Sequence, residues 1–180
     1  MPTLHKTNLI KILEFIEVDK KNYPYFVETG TYRGETILGL IDEFEKLFTI
    51  ELSQILFNEF NSKNYNKNKL TSLLGDSGSV IEEVINLIDG NTIFFLDGHY
   101  SSCDTARGNK DVPLQDELKK INENFKYDGL IIIDDLRLFG TNITEDWSYI
   151  SKENLLDILS DRVENYFEMG DRLIIKISSK

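Results

Sequence analysis

The sequence predicts an α/β fold, a doubly wound parallel sheet wrapped by crossover helices. Between Tyr25 and Phe139, short apolar runs of strand length alternate with segments of helical period, the pattern that stacks parallel strands under helices. The tail after Gly140 changes character and ends in two strand-like runs around a tight turn, which predicts a C-terminal antiparallel hairpin.

Taken in order, residues 1–22 form an amphipathic N-terminal helical segment, with Leu9, Ile12, Leu13 and Ile16 on one face. Lys11, Glu14 and Glu17 interrupt it, so it is not a signal peptide. Strands are expected at 25–28, 47–51, 70–74, 92–96 and 130–133, because each is a short apolar run between turn signals. Helices are expected at 35–46, 53–61, 79–88 and 113–124, the last with Pro113 in the favoured first turn. The Asn- and Lys-rich stretch 61–69 suits an exposed loop. A further helix at 153–162 precedes strands at 165–168 and 173–177, joined by Met169-Gly170-Asp171-Arg172. No linker or repeat divides the chain, so residues 1–180 are expected to form one domain, with 23–180 as its core.

Composition excludes several functions. The chain carries 20 Lys and Arg against 31 Asp and Glu, a net charge of −11, with no basic block; a phosphate-tracking nucleic-acid binder needs clustered cations. Hydrophobic residues make up 41%, enough for a packed core, yet no apolar run approaches the ~20 residues of a membrane span. Cys103 is the only cysteine, so no intramolecular disulfide is possible and a cytoplasmic location is expected.

Glu28-Thr29-Gly30-Thr31-Tyr32-Arg33-Gly34 leaves the first strand and enters a helix, where glycine permits close approach and a helix N-terminus favours an anion. The G-x-x-x-G spacing is not the G-x-G-x-x-G of a dinucleotide site, which disfavours NAD. Glu51 ends the second strand and Gly75-Asp76-Ser77 the third. This composite resembles the cofactor site of the class I S-adenosylmethionine (SAM) dependent methyltransferases. The resemblance implies a seven-stranded Rossmann-like sheet with its last strand antiparallel. It implies that Glu51 accepts the ribose hydroxyls, Asp76 and Ser77 adjoin the adenine, and Glu28, Thr29, Gly30 and Gly34 surround the methionine portion.

Asp97-Gly98-His99-Tyr100 follows the fourth strand and Asp134-Asp135 the fifth. Ligands of a doubly wound sheet sit at the carboxyl ends of its strands, so Asp97, Asp134 and Asp135 converge on one crevice. Their mutual repulsion calls for protons or a cation, and an all-oxygen set suits a hard divalent ion, Mg²⁺ above all. The pairing resembles the metal-dependent macrocin-type sugar O-methyltransferases, which implies a metal that lowers the pKa of the acceptor oxygen. Asp97 would join both the cofactor and the metal. His99, whose unperturbed pKa near 6.5 suits proton uptake, is the expected base.

Tyr100, Thr105, Arg107, Asp111 and Arg137 are placed to touch the acceptor. The expected activity is therefore methyl transfer to a carbohydrate or glycan hydroxyl, with an open acceptor cleft that a second copy of the chain or a fused glycan-processing domain would wall. A small phenol or catechol is the alternative acceptor, with Tyr100, Leu136 and Phe139 as its only obvious apolar walls. A non-catalytic SAM-binding module is the alternative outside catalysis; it would have no need of His99 and three converging acids.

Overall fold

The computed structural model describes residues 3–63, 65–100 and 106–180. Seven strands, β1 (Tyr25–Thr29), β2 (Lys46–Glu51), β3 (Leu70–Leu74), β4 (Thr92–Leu96), β5 (Gly129–Ile133), β6 (Val163–Glu168) and β7 (Leu173–Ile177), form one sheet in the order β3-β2-β1-β4-β5-β7-β6. The first five are parallel, and β7 inserts antiparallel between β5 and β6. The hairpin between β6 and β7 is the expected one. Gly170 (φ 61°) and Asp171 (φ 65°) both adopt left-handed backbone, as a type I′ turn demands, and Met169 and Arg172 exchange backbone hydrogen bonds of 3.0 and 3.2 Å.

Strand alternation sorts the core into two halves, one on each face. Val27, Ile50, Phe94, Ile131 and Ile175 face α4 (Ser77–Ile85), α5 (Leu114–Asn124) and α6 (Lys152–Ile158). Phe26, Leu47, Phe95, Ile132 and Ile174 face α1 (Lys6–Phe15), α2 (Glu35–Gly39) and Phe60 of α3 (Gln54–Asn61). The N-terminal helix adds Leu9, Ile12 and Leu13 to that half of the core, all buried, while Ile16 packs against it partly buried. Among the described residues, no helix is long and apolar enough to cross a membrane.

The helix of the N-terminal segment 1–22 spans only Lys6–Phe15, and α4 ends at Ile85 rather than 88. Three further helix boundaries differ from expectation, each for a local reason. Helix α2 spans Glu35–Gly39 rather than 35–46, because the chain must reach Lys46 in register with Tyr25; turns fill residues 40–45, anchored by Glu45 N donating to Pro24 O at 2.8 Å. Helix α4 starts two residues early because the Asp76 side chain caps it, accepting from Gly78 N at 3.0 Å. Helix α6 ends at Ile158 because Arg162 turns inward.

Arg162 is buried with only carbonyl oxygens around its guanidinium: those of Ser178, Ile121, Phe125 and Tyr127, at 2.9 to 3.3 Å. It ties the C-terminal end of α5, the approach to β5 and the exit of β7 into one corner. Arg162→Met is expected to leave those carbonyls unpaired and to lower stability by about 3 kcal/mol, read as a drop in the urea unfolding midpoint. An unchanged midpoint would show the corner to be held by packing alone.

Candidate functional site

The parallel register brings Thr29, Ile50, Leu73, Leu96 and Ile133 level, so the residues that follow them meet at one edge of the sheet. Two clefts open there, on either side of the Gly30–Tyr32 loop. The first is lined by Gly30, Tyr32, Glu51, Asp76, Ser77, His99, Tyr100 and Asp111 among others. The second is lined by Glu28, Gly30, Thr31, Thr36 and Asp97, with Thr3 at its border.

In the first cleft, Glu51 is fixed by two backbone amides. Tyr32 N donates to Oε2 and Ser53 N to Oε1, both at 2.8 Å. Burial raises its pKa, and these amide bonds oppose the rise. Each carboxylate oxygen retains acceptor capacity for a ligand hydroxyl. Asp76 offers its second oxygen beside Gly108, where a Cβ would stand 2.9 Å from it, so the segment 106–111 closes down on this acid. Tyr100 N donates to Asp111 O at 2.8 Å, holding that segment to the end of β4.

The glycines serve the fold as well as any ligand. Gly30 (φ 81°) lies against the backbone of β4's end: a Cβ would come within 2.5 Å of Asp97 O. Gly34 (φ 73°) lies off the cleft wall, with the Phe60 ring 2.3 Å from where a Cβ would be. Thr29 is buried beneath the loop and its hydroxyl accepts from Asp97 N at 3.2 Å.

The acids converge. Glu28 is buried at the end of β1, where hydroxyls of Thr49 and Thr36 hydrogen-bond it, yet burial pushes its pKa up to about 8. Burial first, then the charges of Asp134, Asp135 and Glu28, hold the Asp97 carboxyl well above the usual range. Asp134 is not left to this group. Buried Arg172, at the start of β7, places Nε 3.3 Å from Oδ1 and donates from Nη2 to Oδ2 at 3.3 Å; burial nevertheless lifts the Asp134 pKa to about 6. Asp135 takes left-handed backbone (φ 60°), which turns it toward His99. The imidazole lies between two carboxylates, Nδ1 3.5 Å from Asp97 Oδ1 and Nε2 3.3 Å from Asp135 Oδ2, and burial lowers its pKa.

Asp97, His99 and Asp135 thus form a group whose ligand atoms all lie within 4.8 Å of one another. Asp97 Oδ1 is buried and has no hydrogen-bond partner among the described residues, so the donor set fits a divalent ion. The residues brought together are not quite the expected Asp97, Asp134 and Asp135: His99 stands where a third carboxylate was expected, and Asp134 belongs to Arg172.

At the rim, Arg107 forms a forked pair with Asp111, at 2.6 and 3.0 Å, and lies 5.3 Å from the Tyr100 ring. Asp111 also accepts from Asp146 N, so its carboxylate is fully engaged. Arg137 bridges Asp135, at 2.5 Å, and Asp171. Arg107 and Arg137 remain 64% and 56% exposed and so can still meet an incoming ligand. Thr105 and Cys103 lie outside the described residues.

Three participants escaped the sequence reading. Arg172 neutralises Asp134; Trp147 sets its ring edge-on to His99 at 5.1 Å. Glu117 of α5 is buried, hydrogen-bonded by Ser77 and Thr29, and raised by burial to about 7. The available signal for Glu117 was its position on the apolar stripe of Leu114, Leu118 and Ile121, where a carboxylate is out of place.

No family model and no curated protein sequence matches this chain. Solved structures do. A Staphylococcus aureus protein assigned as a caffeoyl-CoA O-methyltransferase superposes with a TM-score of 0.61 at 16% identity, covering 99% of this chain and 86% of its own. The O-methyltransferase TomG of Streptomyces achromogenes, involved in tomaymycin synthesis and solved with SAM, gives 0.61 at 12% identity over 94% and 79%. Human methyltransferase-like protein 13, solved with S-adenosylhomocysteine (SAH), gives 0.56 at 13% over 89% and 74%. The fold is that of the SAM-dependent methyltransferases.

Two outcomes are expected from this geometry. Gly30→Ala forces a side chain onto the Asp97 carbonyl and should cost at least ~2 kcal/mol of stability in the ligand-free protein, measured by urea unfolding; loss of ligand affinity with no loss of stability would show a glycine required by a ligand alone. Glu28 and Glu117 have folded-state pKa values above the ordinary 4.5, so the folded chain holds their protons more tightly. Their contribution is complete below about pH 4.5 and is lost as pH rises through about 7 and 8. The unfolding midpoint should fall between pH 5 and roughly pH 8.5, and a Glu28→Gln/Glu117→Gln double variant should flatten that fall.

Proposed function

We propose that this chain is a SAM-dependent O-methyltransferase that uses a divalent metal and acts on a hydroxyl of a carbohydrate or glycan. The observation that carries the reading is the arrangement of Glu51, Asp76 and the Asp97–His99 turn around one cleft at the ends of β2, β3 and β4, on a methyltransferase sheet.

In this reading Glu51 accepts the ribose hydroxyls from a carboxylate already oriented by Tyr32 N and Ser53 N. Asp76 and Ser77 border the base. Glu28, Thr29 and Gly30 border the amino-acid portion, with Glu28 held by Thr49 in the adjoining cleft. Gly34 shapes the turn that enters α2.

SAM carries an activated methyl group, so the protein must hold an acceptor oxygen in line with it and take its proton. Asp97, His99 and Asp135 are the groups that would hold the metal and receive the proton, with Asp134 supporting them through Arg172. A bound divalent ion would polarise the acceptor oxygen and lower its pKa. The charged, exposed rim of Arg107 and Arg137, with Tyr100 beside it, favours a hydroxyl-rich acceptor over an apolar one.

The test is calorimetric titration with SAH, followed by a methyl-transfer assay with labelled SAM on glycans, simple sugars and catechol. SAH should bind, and Glu51→Ala should weaken it by roughly 10- to 100-fold, the worth of one or two charge-assisted hydrogen bonds. Label should appear on the sugars. Failure of SAH to bind would overturn the reading, and transfer to catechol alone would overturn the acceptor class.

A further inference from the structure

Glu117 is a buried acid near the site to which the proposed reaction gives no part. It stands on the apolar stripe of α5, 1% exposed, and burial pushes its pKa up to about 7. Its Oε1 has no hydrogen-bond partner among the described residues. A carboxyl on a core-facing stripe, desolvated and with one oxygen unpaired, is a poor contributor to stability, and such breaches of pattern gather where function needs them.

Its partners locate the need. The hydroxyls of Thr29, at the end of β1, and Ser77, at the start of α4, hydrogen-bond Glu117. Thr29 Oγ1 also accepts from Asp97 N at 3.2 Å. Gly98 lies on the same two hydroxyls: a Cβ there would stand 3.0 Å from Thr29 Oγ1 and 3.1 Å from Ser77 Oγ. Glu117 itself lines a narrow cleft with Asp97, Gly98, His99 and Trp147. The exits of β1, β3 and β4 therefore converge on one carboxyl supplied by α5.

We propose that Glu117 is a positioning residue: through the hydroxyls of Thr29 and Ser77 it fixes the Asp97-Gly98-His99 turn at the sheet edge, and with it the wall of the cleft assigned to SAM.

A hydroxyl has one proton to give. Thr29 Oγ1 receives the Asp97 amide, so its own proton goes to a separate acceptor, and Glu117 supplies one. Without that carboxyl the Thr29 hydroxyl is free to rotate, and its bond to Asp97 N weakens. Ser77, which lines the first cleft, loses the same anchor. Glu117 is not among the residues lining the first cleft, so its effect on a ligand there passes through these hydroxyls. The proposal rests on the SAM-dependent reading for its consequence at the cleft, whereas the brace itself is measured with no ligand present.

The test uses the full chain. In the ligand-free protein, amide hydrogen exchange followed by nuclear magnetic resonance compares the Asp97 amide with those of Phe94 and Leu96 inside β4. Glu117→Met, close to Glu in length and a far weaker acceptor, should speed exchange at Asp97 by about tenfold and leave β4 unchanged. Thr29→Val keeps the shape and removes the hydroxyl; it should do the same, and the two changes together should add little more, because they cut one chain of hydrogen bonds. Glu117→Gln keeps an acceptor oxygen and should hold exchange within about threefold of wild type. In calorimetric titration SAH should bind Glu117→Met about 3- to 10-fold more weakly than wild type, and Glu117→Gln within about twofold of it. Unchanged exchange at Asp97 in both Glu117→Met and Thr29→Val, equal SAH affinity in wild type and Glu117→Met, or a Glu117→Gln as impaired as Glu117→Met would each overturn the proposal. So would a fall in the urea midpoint with exchange raised evenly along β4, the sign of an acid that only stabilises the fold. If SAH fails to bind the wild type, the methyltransferase reading falls and the exchange rates alone decide the brace.

Discussion

The compensation of buried carboxylates at the ends of β1, β4 and β5 is the constraint from which the rest of the site follows. Glu28, Asp97, Asp134 and Asp135 are all shielded from water, and their charges act on one another. Isolated buried charges on this scale are not tolerated, so each must be protonated, paired or hydrogen-bonded. The chain uses every option. Threonine hydroxyls attend Glu28, Arg172 attends Asp134, Arg137 and His99 form ion pairs with Asp135, and Oδ1 of both Asp97 and Asp135 has no hydrogen-bond partner among the described residues. The different solutions give four chemically similar groups four different roles.

Some of the left-handed backbone lies beside these acids, at Asp135, Asp171 and Gly30. Asp135 turns its carboxyl toward His99, and Asp171 places its own carboxyl and carbonyl where Arg137 and Leu136 meet them. Gly30 lets β1's exit pass against the Asp97 carbonyl. The loop is therefore shaped first by the need to seat two strand ends side by side, and the cleft is what remains beside it.

Much of this was legible before the structure. The seven strands follow from apolar runs with turn signals, and the acids at strand ends stand out because a carboxylate after four apolar residues has one destination in a parallel sheet. The type I′ turn was written in Gly170-Asp171. What stayed hidden depends on pairings that local pattern does not carry. Arg172 reaches Asp134 only because β7 enters the sheet antiparallel beside β5, bringing together residues 38 apart. The shortness of α2 is set by strand register, not by propensity: 35–46 has helical periodicity, but Lys46 must lie beside Tyr25. Gly34 was read toward a ligand when its neighbour is the ring of Phe60, 26 positions away in the chain and adjacent in the fold.

The place of β7 has a consequence for how the protein is made. Residues up to Ile133 contain five parallel strands and most of both core faces, yet Asp134 and Asp135 emerge with no cationic partner for Asp134 until Arg172 is synthesised. Strands β6 and β7 pair as a hairpin, so β7 meets β5 in a long-range antiparallel docking step that is intrinsically slow. Until that step, β5 is an open edge of the sheet and Asp134 has no cationic partner. The buried acids at the end of β5 are therefore compensated only when the C-terminal hairpin docks.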